Sequence, residues 1–256
     1  MEKREKIRKY FSKGYMDNSQ IGIPYVLIVG VCMVGLSIFV FNLNRGPNVF
    51  LGLLCLLIGL GLLFWAKAQI DFESSRPKDY EMDSWLEEDI QEVIKNRPYD
   101  KLGISKEDLV AETLLVVGPV YWYVSGFDVK DILMKKGEDG FNRFSIWTIQ
   151  VFMFTENYLC SYKCQYNWIK NTYINESTNE FFYKDVVSVK TDTVSSAYTL
   201  MNGQRLIHSE AFQLKLTGDE ITVITNDASL NTSSAMVSKA EKAVQSIRTM
   251  LRDKKK

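Results

Sequence analysis

The chain has 256 residues, with 31 basic and 31 acidic side chains and a single histidine. Zero net charge argues against a general nucleic-acid binder, which is usually basic, and four cysteines are too few for a disulfide framework. A mean hydropathy of −0.11 hides a sharp asymmetry, because between Ile21 and Ala66 the only charged residue is Arg45.

Met1 to Met16 (MEKREKIRKYFSKGYM) has helical character. Ile7, Tyr10 and Phe11 share a face and basic residues fill the rest, which suits a helix lying at the inner membrane surface. The plainer reading is a set of charges that only fix topology.

Ile21 to Phe41 and Val49 to Ala66 are two uncharged apolar runs. Each is about long enough to cross a hydrocarbon core. The turn between them, Asn42 to Asn48, carries the breaker Gly46-Pro47. Residues 21–66 therefore read as a transmembrane helical hairpin. The first run is too long for a cleaved signal peptide. Lys3, Arg4, Lys6, Arg8, Lys9 and Lys13 precede the hairpin and Lys67, Arg76 and Lys78 follow it. The positive-inside rule then puts both termini in the cytoplasm and the hairpin in the inner membrane. Small residues (Gly30 and Gly35 in the first run, Gly52, Cys55 and Gly59 in the second) mark close helix approach. They serve either the hairpin itself or contacts between subunits. No polar charge sits mid-span, which argues against a transporter with an internal ion site. A plain anchor and an apolar-walled pore both remain open.

Asp71 to Tyr80 reads as a linker. A helix is expected from Asp83 or Ser84 to about Asn96, stopped by Pro98, with Glu87, Glu88, Asp89 and Glu92 as a solvated acidic face. Ser105-x-x-Asp108 is a further helix start. The N-terminal segment thus covers 1–20, the hairpin 21–66, and linker with juxtamembrane helices 67–112.

From Thr113 the period changes to two. Thr113–Val117, Val120–Phe127, Phe144–Thr155, Tyr158–Trp168, Glu180–Thr193, Arg205–Thr217 and Glu220–Asn226 read as strands. Met236, Ala240, Ala243, Val244, Ile247 and Leu251 then recur at helical spacing, so residues 113–256 read as a mostly-β domain ending in an amphipathic helix.

Chemistry is sparse. His208 is the sole histidine, and Cys160 and Cys164 lie four apart on one strand, about 13 Å from each other. That spacing and the lack of a second Cys/His pair argue against a metal, and no cofactor motif is present. The loop KKGEDGFNR is the most suggestive feature. Lys135, Lys136 and Arg143 there, with Lys163 and Lys184 from the sheet, are candidate ligands for a phosphate or nucleotide. Tyr158, Tyr162, Tyr166 and Trp168 read as core or interface.

The run FFYKDVVSVKTDT (Phe181–Thr193), the Phe212–Val223 hairpin and the closing AEKAVQSIRTMLRDKK helix resemble, in element order, the pleckstrin-homology-like small barrel of bacterial proteins. A two-span unit fused to such a domain resembles anti-phage defence membrane effectors of the Hailong or cyclic-oligonucleotide-signalling type. That resemblance implies a non-enzymatic homo-oligomeric ion channel or membrane-disrupting assembly, controlled by a nucleotide or protein partner. The alternative is a membrane-anchored adaptor that recruits a protein.

Overall fold

The structure is a computed structural model. It describes residues 2–12, 22–42, 46–194, 198–199, 205–206, 209–218, 220–227 and 234–254. The chain divides into two compact units, one of residues 12–77 and one combining residues 1–11 with 78–256.

The first unit is built on α2 (Ile23–Asn42) and α3 (Gly46–Ser74). Residues 23–42 and 49–74 are long and apolar enough to cross a bilayer, with mean hydropathies of 2.5 and 2.6. The expected linker at Asp71 is helical, since α3 runs on to Ser74.

The expected small residues divide by role. A methyl on Gly59 would sit 2.9 Å from Val34 Cγ2 and 3.0 Å from the Gly30 carbonyl oxygen. A methyl on Gly30 would press on Leu63, and one on Gly52 would press on the Phe41 ring. Cys55 is buried on the same stripe. These four serve the α2–α3 contact, where absent side chains let two backbones approach. Gly35 is different, because nothing lies within 4 Å of a methyl built there. The outer surface is plain hydrocarbon, with Phe64 and Phe50 the most exposed.

The second unit begins with α1 (Lys3–Phe11) and resumes with α4 (Asp79–Leu102). α4 is longer than its sequence signals suggest. It starts at Asp79 and passes through Pro98. A proline removes one helical hydrogen bond, but Pro98 is buried, and the helix runs on to Gly103. Gly103 adopts a left-handed φ of 65°, the usual glycine stop. The Ser105–Asp108 cap forms, over a single 3-10 turn.

The strands are β1 (Leu114–Pro119), β2 (Met134–Lys136), β3 (Asn142–Phe144), β4 (Ile146–Phe154), β5 (Tyr158–Asn167), β6 (Thr172–Phe182), β7 (Val186–Val194), β8 (Tyr198–Thr199), β9 (Arg205–Leu206), β10 (Ser209–Leu216) and β11 (Glu220–Asp227). They are followed by α5 (Ser234–Lys254). A four-stranded antiparallel sheet has the order β1-β4-β5-β6 and a three-stranded one the order β11-β10-β7. The described sheets are open, so the expected closed barrel is not seen among the described residues.

Two sequence expectations fail here. Val120–Phe127 is irregular rather than a strand. The expected single strand Glu180–Thr193 is two, β6 and β7, broken by a 3-10 turn at Tyr183–Asp185.

All nine residues of β4 are buried. Trp147, Ile149, Val151 and Met153 face one core with α1 and α4. Phe152 and Phe154 face another, with Phe212, Leu214, Ile221, Val223, Ile247 and Leu251 of the second sheet and α5. The four-stranded sheet is therefore the middle layer of three, which is why every residue of β4 is buried, Thr148 and Gln150 included.

Gly59→Leu should separate α2 from α3 at a cost of about 1–3 kcal/mol from overpacking, whereas Gly35→Leu should leave the hairpin intact. Cross-linking efficiency between cysteines placed at facing positions of α2 and α3 in detergent reads the difference.

Candidate functional site

The chain leaves the β unit after α1 and returns to it at α4, and both segments are fixed there by polar contacts. Ile7, Tyr10 and Phe11 are buried against Met82, Leu86 and Ile90 of α4 and against Trp168. Phe11 meets the Trp168 ring edge-on at 6.0 Å. The apolar face expected to lie on the membrane is thus core of the β unit, and burying three such side chains outweighs an interfacial position.

Asp89 anchors this packing. It is 4% exposed, so the expectation of a solvated acidic face fails at this residue. Its carboxylate accepts hydrogen bonds from Lys3 and Arg4, each at 2.7 Å, and from Trp168 Nε1 at 2.8 Å. Arg4 also donates to the Trp168 carbonyl and to Asn171. A charge taken out of water is tolerated only with such partners.

The KKGEDGFNR loop forms the β2–β3 hairpin, in which Lys135 lies opposite Arg143. Arg143 is buried, and its guanidinium donates to Asp83 at 2.9 and 2.7 Å and to Asp139 at 3.0 and 2.6 Å. Asp79 lies 3.5 Å away. Burial opposes the Arg143 charge, but the bonds to Asp139 and Asp83 outweigh it and raise the pKa. Asp79 in turn accepts from the Tyr10 hydroxyl at 2.6 Å and from the Glu138 amide at 2.7 Å. Burial, helped by Asp79, pushes the Tyr10 hydroxyl up. The Lys135 ammonium sits 4.6 Å from the Tyr10 ring centre.

The loop is expected from its sequence to hold a phosphate or nucleotide; the anions that face Arg143 in the structure are carboxylates of the same chain. An external phosphate there would compete with three aspartates. Gly137 is required in this loop, because a methyl would overlap the Arg143 guanidinium and the Asp79 carboxylate.

The remaining candidates lie elsewhere. Lys136 is exposed at the end of β2. Lys163 is on β5, opposite Gln150 and Ser177. Lys184 is in the turn after β6, 5.2 Å from the Phe182 ring. Only Lys135 and Arg143 are brought together as cross-strand neighbours. His208 lies outside the described residues. Cys160 and Cys164 are buried, and burial pushes each thiol up to about 11, away from the reactive thiolate.

A pair that the sequence reading missed secures the other end of α4. Arg97 donates twice to Glu176 of β6, at 3.0 and 2.6 Å, and lies over the Tyr173 ring at 4.3 Å. Tyr162 also donates to Glu176. The bonds from Arg97 hold the Glu176 carboxyl below its ordinary value of 4.5. The available signal was slight, since Glu176 is one of two acids, with Glu180, in an otherwise uncharged strand.

Neither a family model, nor a curated protein, nor a solved structure matches the chain.

Removing Asp89 takes one partner each from Lys3 and Arg4, which keep others, and leaves the Trp168 indole N–H without its acceptor. Asp89→Ala should cost about 1–3 kcal/mol and release α1. Hydrogen exchange of residues 3–11 in the full chain should then rise to the rate of a free segment, while β4 stays protected.

Glu176 gives a separate acid signature. A depressed folded-state pKa supplies stability above the unfolded value of 4.5 and loses it as pH falls through the folded value. Glu176→Gln should therefore flatten the stability profile below about pH 4.5 and lower stability above it, read by denaturant midpoints across pH.

Proposed function

We propose that the protein is a non-enzymatic bacterial membrane effector. Its β unit lies in the cytoplasm with both termini, senses a partner, and controls the association of the hairpin into a homo-oligomeric channel or membrane-disrupting assembly. The observation that carries this reading is the fixing of α1 and α4 to the β unit. Tyr10 and Asp79, two residues from either end of the hairpin unit, are hydrogen-bonded to each other. The segments through which the chain leaves and re-enters the β unit are therefore held together within that unit. Within the hairpin unit Arg76 likewise donates to the Ser12 carbonyl.

We read the β unit as pleckstrin-homology-like, and what supports this is the order of four strands, then three, then a closing helix. The occupied state of Arg143 favours a protein partner over a nucleotide. Anti-phage defence is the setting that the arrangement of a two-span unit ahead of a β domain suggests.

A second reading, a membrane-anchored adaptor, is favoured by one observation. Four of the five small residues are used inside the hairpin, leaving Gly35 for contacts between copies. Purified protein in liposomes separates the two. The effector reading expects an oligomeric mass in detergent and ion flux that falls when Asp79→Asn and Asp83→Asn are combined. A monomer without flux would leave the adaptor.

A further inference from the structure

β7 is the last strand of its sheet, and among the described residues no other strand pairs with its outer edge. A groove of about 780 Å³ runs between that edge and the last turns of α5, lined by Val187, Ser188, Val189, Arg248, Thr249 and Arg252. Two details mark this edge. First, Arg248 Nε donates to the Val189 carbonyl at 3.3 Å, so this carbonyl points into the groove and already takes a donor in place of a strand amide. Second, the β10 register passes from Ser188 to Val186 and skips Val187, a bulge that leaves the Val187 side chain 59% exposed. Bulges usually blunt an edge against pairing or re-aim a side chain. Here the re-aimed side chain is an apolar one inside a groove.

We propose that this groove binds an extended acidic peptide segment of a partner protein, which adds as a strand to the outer edge of β7. Backbone pairing supplies affinity without regard to sequence, and side-chain pockets supply selectivity. A strand laid along residues 187–191 spans roughly 16 Å. Its amide replaces Arg248 at the Val189 carbonyl, an apolar side chain covers Val187, and carboxylates meet Arg248 and Arg252. Charge selects the occupant, because the two arginines outnumber the single acid of the groove, Asp253. This inference rests on the proposal that the β unit senses a protein partner, and it names the chemistry of that partner.

The test uses the full chain in detergent and two end-blocked, fluorescein-labelled hexapeptides, Thr-Val-Glu-Val-Glu-Thr and the same sequence with lysine in place of glutamate. Anisotropy should show saturable binding of the acidic peptide and at least about tenfold weaker binding of the basic one. Arg248→Glu combined with Arg252→Glu should reverse that order. Val187→Glu, a change at an exposed position, should abolish binding of the acidic peptide even if the arginine variant fails to fold. Hydrogen exchange of residues 187–191 should slow only with the acidic peptide.

Absence of saturable binding up to about 1 mM, or binding that survives both variants, would overturn the proposal. So would concentration-dependent self-association that Val187→Glu abolishes, since the groove would then hold a second copy. Peptide binding is read apart from flux. A peptide failure leaves the effector reading standing, and a flux failure leaves the groove standing.

Discussion

The carboxylate of Asp89 is the group on which the helical layer of the β unit depends. It is buried in an apolar core between α1, α4 and Trp168, where an unpaired charge would cost several kcal/mol. The chain meets that cost with cations from α1 and an indole N–H from the end of β5. One acidic side chain therefore joins segments 85 and 79 residues away along the sequence. Hydrophobic contact alone is non-directional. The charges fix how α1 lies on α4, and the aromatic contacts of Tyr10 and Phe11 follow from that placement.

The same logic repeats along α4. Asp79 and Asp83 meet Arg143 at its start, Asp89 meets α1 in its middle, and Arg97 meets Glu176 near its end. Exposed pairs contribute little, but these are wholly or partly buried and several share hydrogen bonds with tyrosines. The central sheet gains a cover on its second face, so β4 is enclosed on both sides. A sheet with one wet face would alternate polar and apolar residues throughout; β4 alternates only over Trp147–Val151, where Thr148 and Gln150 are nonetheless buried, and is wholly apolar from Val151 to Phe154.

This double cover also explains which features were legible in the sequence. The hairpin helices were, because two long uncharged apolar runs leave few alternatives, although Gly46-Pro47, expected to break the chain into a turn, instead opens α3, a position where proline costs no helical hydrogen bond. β4, β5 and the β10–β11 hairpin were, because β4 and β11 are rich in aromatic or β-branched residues and β5 and β10 alternate along the strand. β6 was not. Its TYINESTNEFF is mostly polar, and it holds Asn175 at a φ of 51°, where the ladder slips against β5. Strand propensity was low there, and cross-strand pairing overrode it. Val120–Phe127 failed in the opposite sense, since its aromatics pack as core without a ladder partner. The cations of the KKGEDGFNR loop are expected to meet a ligand, and a sequence does not say whether the anion that Arg143 meets belongs to a ligand or to the chain. The acids of α4 were assigned to solvent because nothing local marks Asp89 apart from Glu88.

The moved position of α1 changes what the hairpin can be. As a surface-lying amphipathic helix, it would have been a flexible lead into the first span. Packed into the β unit, it makes the hairpin a loop inserted into a folded domain, held at both ends by the same body. An insertion held in this way has less freedom than a tethered anchor, and the entropy of closing it has already been met by the folded β unit. A ligand shifts an equilibrium only by its differential affinity for two states, and binding at the β unit can bias the packing of α1 and α4, the two segments of that unit that border the inserted hairpin.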